Sequence, residues 1–286
     1  MNNHQIKKVT DRYYENLEVI LKNIVPGFDL DTIQNFRHTY RDQRAFLAMM
    51  SEQNAVRFRK KLSGRLHRTY RLLGEIRNLA LQHTKVTSLQ NASQSPTEDY
   101  LKVLREGTEK KKQKLQSALL NSPVVSCRKE TDAFIPSEFP VADFQIYCQL
   151  KIAKITSIIS KVRLSDKNLN SIRKKLGDLY DNTQNFALDK HHGVISPIFR
   201  GKDNCFSENI LRKLNDYTDL CMMIKMIRKS HLKELNRANR EALAEIRNAW
   251  LIEKIAMRRS LIGTLKTEVI SMETYELKTA GSSIYA

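Results

Sequence analysis

Proline and glycine are scarce, six and nine among 286 residues, and so few turn formers argue against a β-rich fold. The prolines are Pro26, Pro96, Pro123, Pro136, Pro140 and Pro197, which leaves two tracts of roughly seventy or more residues without the residue most able to stop a helix. Aromatic residues are 7% of a chain that is 41% hydrophobic, adequate for a core but not rich. Cys127, Cys148, Cys205 and Cys221 form no CxxC pair and no zinc-type spacing, so they read as reduced thiols. With no apolar leader either, the expected compartment is the cytoplasm, or the host-cell cytoplasm for a viral protein. No apolar run approaches the length of about eighteen residues that a membrane span needs, which confines any membrane contact to the surface. Acidic residues are also in deficit, 31 against 49 Lys and Arg, for a formal charge of +18. That balance favours densely negative partners: nucleic acid, anionic lipid or an acidic protein surface.

What is present is helical periodicity. Ile6, Val9, Tyr13, Leu17, Ile20 and Ile24 recur at steps of three and four before Pro26-Gly27, an amphipathic helix with a stop. Asp29 or Asp31 can cap the next, whose apolar positions run from Phe36 and Tyr40 through Phe58, Leu66 and Tyr70 to Ile76 and Ala80. Unbroken, this pattern is a rod of about fifty residues, roughly 75 Å long; the alternative is a hairpin broken near Ser51-Glu52-Gln53-Asn54. Residues 84–98 have loop composition, and Ser95-Pro96-Thr97-Glu98 is a capping box with proline at the first helical position. A helix then runs to about Leu120, an ordered connection fills 121–140, and two helices fit 141–163 and 166–188. A second loop occupies 189–206. From Ser207 a strict three-four alternation links Ile210, Leu214, Tyr217, Cys221 and Ile224, a coiled-coil type seam expected to join copies of the chain. The pattern resumes out of phase at Leu243, which marks a bend, a stutter or two helices meeting.

The resulting expectation is an all-α, elongated, coiled-coil-like bundle with two very long helices, about 30–83 and 207–272. Its segments would be 1–88, 89–206 and 207–286.

The stretch Glu75-Ile76-Arg77-Asn78-Leu79-Ala80-Leu81-Gln82-His83 resembles the Arg-polar-spacer-His signature of the HEPN family of helical ribonucleases. The resemblance covers seven residues and implies His83 as acid or base, Arg77 as transition-state cation and Asn78 as the polar neighbour, meeting across a dimer. On a continuous helix, six steps of about 100° leave Arg77 and His83 about 120° apart. They converge only if the helix ends between them.

The second constellation is electrostatic. Arg57, Arg59, Lys60, Lys61, Arg65, Arg68 and Arg71 lie between Gln53 and Gly74 with no acidic residue among them. Arg57, Lys61, Arg65 and Arg68 share about 80° of a helical wheel, a partner- or phosphate-binding stripe. Lys225, Lys229, Lys233 and Arg240 form a similar one. Two stripes could track a phosphate backbone or an acidic lattice, whereas base reading lacks aromatic interleaving or a recognition element. His191-His192 with Cys205 needs a fourth ligand to hold a metal, and His231 reads as a polar layer in the seam.

The sequence reading is therefore a non-enzymatic, self-associating helical scaffold that engages an acidic protein lattice or nucleic acid. It requires no cofactor, metal or small-molecule substrate, and it has the look of viral or mobile-element assembly proteins. Sequence-nonspecific nucleic-acid binding and the HEPN-like ribonuclease are the alternatives. A curved, BAR-like membrane binder ranks behind them, because the mid-chain helix lengths do not suit a three-helix rod.

Overall fold

Asn2 begins the first helix with a reciprocal cap: its Oδ1 accepts from Gln5 N at 3.0 Å while its own N–H donates to Gln5 Oε1 at 2.8 Å. The computed structural model describes residues 1–50, 64–93, 96–120, 122–133, 135–187, 205–227 and 235–282. Helix α1 spans Asn3–Gly27 and α2 Leu30–Met50. They are joined where Phe28 takes the left-handed conformation and its N–H closes on Ile24 O at 2.7 Å. Of the two candidate caps for α2, Asp29 serves, its Oδ2 accepting from Thr32 N and Oγ1, both at 2.8 Å. Then follow α3 (Arg65–Ser93), α4 (Glu98–Leu119), α5 (Pro123–Asp132), α6 (Val141–Ile159), α7 (Asp166–Ala187), α8 (Cys205–Met226) and α9 (Arg237–Ser282). Among the described residues there is no strand, only an isolated bridge between Asn2 and Glu138, so the all-α expectation holds. No described helix is long and apolar enough to cross a membrane.

The chain divides into two units. The first comprises Met1–Val141 and Met222–Ala249, the second Ala142–Cys221 and Trp250–Ala286. Each unit gathers segments far apart along the chain, because helical faces find their partners by burial and not by order.

In the first unit Tyr14, Leu17 and Ile24 of α1 pack with Ile33, Phe36 and Tyr40 of α2, Leu66, Leu73 and Ile76 of α3, Leu115 of α4 and Cys127 of α5. Tyr14 buries its hydroxyl there against Thr131 Oγ1 at 2.5 Å, so the polar atom is satisfied inside the core. The rings of Tyr40 and Tyr70 stack at 4.5 Å. Thirty residues apart on one rod they would be about 45 Å distant, so the 30–83 pattern belongs to two helices packed side by side and not to a continuous one.

The second unit repeats the lesson. Ile210 and Leu214 of α8 share a core with Leu169 and Ile172 of α7 and with Leu261 and Leu265 of α9. The rod expected over 207–272 is thus α8 and α9 lying against each other, and the phase shift noted after Ile224 separates two helices.

Smaller expectations also change. Helix α3 continues through Thr84–Ser93 despite its loop-like composition, because Val86 is fully buried and packing overrides weak propensity. Thr97, not Ser95, precedes the first residue of α4, and its side chain makes no capping bond. The 121–140 connection contains α5, started by Pro123 in its first turn.

Candidate functional site

Along α2, the positions between the core residues Phe36 and Tyr40 and beyond carry Arg37, His38, Arg41 and Arg44. Arg37, Arg41 and Arg44 fall within about 60° of one another on a helical wheel. Arg41 Nη2 lies 2.6 Å from His38 Nδ1, and Gln34 Nε2 is 2.8 Å from His38 Nε2. Both neighbours present N–H donors and a neutral ring accepts at one nitrogen only, so the network closes with Nδ1 accepting from Arg41 and the Gln34 amide turned end for end, its carboxamide oxygen accepting from Nε2–H.

Helix α3 contributes Arg77. The His38 pKa is lowered to about 4, first by loss of hydration around the ring and then by the positive charges of Arg41, Arg37 and Arg77. His38 keeps an exposed edge, yet three guanidiniums from two helices bear on it, and it is neutral at physiological pH. Among the described residues no carboxylate lies within ion-pair distance of Arg41 or Arg44. Arg37 is differently placed: Nη1 donates to Tyr70 O at 3.2 Å and the guanidinium lies over the Tyr70 ring, 4.5 Å from its centroid. The arrangement suits a multiply charged oxyanion, for which planar guanidiniums offer paired donors and fixed charge.

The residues singled out from the sequence are distributed otherwise. Arg57, Lys61, Lys229, Lys233, His191, His192 and His231 lie outside the described residues, as does the Cys205 side chain. Arg65 and Arg68 are exposed on α3; nine steps of about 100° put Arg68 on the side opposite Arg77, so stripe and cluster occupy different faces. Lys225 and Arg240 are exposed. Ile210, Leu214, Tyr217, Cys221 and Ile224 are all buried within the chain itself.

Arg77, Asn78 and His83 lie on one unbroken helix, and their side chains do not converge within the chain. Arg77 acts on His38, while His83 has its pKa lowered by desolvation and then by Arg105. Among the described residues no three His, Cys, Asp or Glu side chains are grouped as a metal site. The His38–Arg41 pair escaped the sequence reading because α2 was read only for its apolar positions. Its signal was present as His, then Arg at i+3, on a helix already recognised.

The second unit holds a charged network that is satisfied internally. Asp166 accepts from Tyr217 Oη at 2.7 Å and Lys254 Nζ at 2.5 Å, and Arg258 donates to Leu164 O.

No family model matches the chain, and no curated protein does. Among solved structures it is similar to the crystal structure of the CHAD domain from the plant Ricinus communis, at 13% identity and a TM-score of 0.75, covering 94% of this chain and 91% of that one. At that identity the likeness is one of fold: the chain is an all-helical protein with the architecture of that CHAD domain.

Proposed function

We propose that the chain is a non-enzymatic binding protein for a linear phosphate polymer, gripped through its phosphates and not through any base. The observation that carries this reading is the Arg41–His38 contact at 2.6 Å, beside which Arg37 and Arg77 also act to hold the His38 pKa down. Like charges gathered at one place repel, and a polyanion laid across them turns that repulsion into attraction. The formal charge of +18 supports long-range capture of the same ligand class.

A bare phosphate chain such as inorganic polyphosphate is favoured over single-stranded nucleic acid. Among the described side chains every Phe, Tyr and Trp is buried or half-buried, so none offers an exposed face for base stacking. A duplex backbone is the second reading, favoured by the exposed Arg65 and Arg68 on another face of α3. The acidic partner expected from the sequence is retained. The seam gives no support to self-association, since its residues are covered by the chain's own helices.

The test is binding of labelled inorganic polyphosphate, single-stranded RNA and duplex DNA across a salt series. The reading expects tightest binding to polyphosphate, weakening steeply with salt, and RNA recovered intact from the same tubes. Preference for RNA over polyphosphate at equal charge, or RNA cleavage lost in His83→Ala, would overturn it.

A further inference from the structure

We infer that Gly74 and Arg37 form a lock that positions the anion site, with Arg37 serving as a strut between α2 and α3. The inference rests on the phosphate-polymer reading above for its ligand but on independent geometry for the lock. Gly74 lies inside α3, and its φ is not positive, so it is not required for backbone conformation. It is required for space: a Cβ built there would stand 2.1 Å from Arg37 Nη1 and 3.0 Å from its Cζ.

The position explains the chemistry. In an α-helix the carbonyl of residue i lies beside residue i+4, and Gly74 is four residues after Tyr70. With no side chain at Gly74, the Tyr70 carbonyl is open from the side, and Arg37 Nη1 reaches it at 3.2 Å. The same guanidinium covers the Tyr70 ring at 4.5 Å, and that ring is stacked on Tyr40 of α2, also at 4.5 Å. Tyr40 Oη in turn meets His67 Nδ1 of α3 at 3.2 Å. Arg37 therefore ends a ladder of rings that alternates between the two helices. One donor and one face of its guanidinium are committed to α3, and this commitment fixes the register in which His38 and Arg41 stand across from Arg77.

Gly74→Ala is a suitable perturbation because the atom it strikes is the tip of a flexible side chain, so the guanidinium swings away while the backbone stays and no charge is removed. The full-length variant should bind inorganic polyphosphate about tenfold more weakly than the parent at pH 7.5, a loss of the size expected when one charged contact is displaced. In an Arg37→Gln background the same substitution should add nothing, since the two changes act through one interaction. Unchanged affinity in Gly74→Ala, or losses that simply add, would overturn the lock.

A readout without ligand separates this inference from the binding reading. Moving the Arg37 charge away should raise the His38 pKa in an imidazole NMR titration of Gly74→Ala, with the circular dichroism spectrum unchanged. If the parent bound no phosphate polymer, the proposed function would fail, and the titration would still decide: a raised His38 pKa supports the lock, an unmoved one overturns it.

Discussion

Replacing Arg41 by Gln removes a cation that has no carboxylate neighbour among the described residues, while leaving an amide able to donate to His38 Nδ1, 2.6 Å from the present guanidinium. Arg41 is half-buried, so its bond to a phosphate is partly shielded from water. Charge-assisted bonds contribute about 1.5–3 kcal/mol, and the lower half of that range applies at a site open on one side, giving a loss of roughly ten- to fortyfold in polyphosphate affinity at pH 7.5. The slope of log affinity against log salt should also shrink by about 0.7, the increment per phosphate contact on a flexible single chain.

A second consequence distinguishes this site from a generic basic surface. Arg41 is the foremost of the charges that hold the His38 pKa down, after loss of hydration. Without it the ring accepts a proton more readily, and the protonated ring replaces part of the missing charge. The affinity deficit of Arg41→Gln should therefore narrow as the pH falls from 7.5 to 5.5. Fluorescence anisotropy with end-labelled polyphosphate, over salt at both pH values, reads all three quantities. Affinity and salt slope both unchanged at pH 7.5, in a variant with unaltered circular dichroism, would refute the reasoning.

Other expectations follow from the same contacts. The His38 pKa in the folded chain lies below the unfolded value of 6.5, so the unfolded chain binds the extra proton first; the associated stability is full above that value and declines as pH falls toward about 4. His38→Asn should accordingly lose less Tm than the parent between pH 7 and pH 4.5, and an identical decline would count against the cluster. Asp166 is pushed up by desolvation but held lower overall by Lys254 and Tyr217, so its contribution is present above the ordinary value of 3.8 and lost as pH falls through the folded pKa. Asp166→Asn should lower Tm by about 2–4 °C at neutral pH, with the gap closing in acid; a gap independent of pH would refute the assignment. Leu214 is fully buried beside Leu169 and Leu261, so Leu214→Ala should cost about 2–5 kcal/mol. Because that core is intramolecular, Tm should not depend on protein concentration. A Tm rising with concentration in the parent would restore the seam as an interface between copies.

The sequence by itself determined the secondary structure class and most helix positions. Steps of three and four in α1, in α7 and in Ile210–Ile224 can be satisfied only by a helix with one buried stripe, and few prolines interrupt them. Charge, too, is a property of composition and survives any fold. What the sequence could not decide is which stripe covers which. A periodic apolar face looks the same whether it meets another copy or a helix thirty residues away, because burial is non-directional and long helix and hairpin present one pattern. Only the tertiary structure brought Tyr40 onto Tyr70 and so split the first rod, and only it put Leu214 against Leu261 and split the second. The candidate site was hidden for the same reason. His38 and Arg41 are neighbours along one helix and were legible in principle, but Arg77 and Gly74 join them from another helix. Their meaning depends on a distance in space that no spacing along the chain encodes.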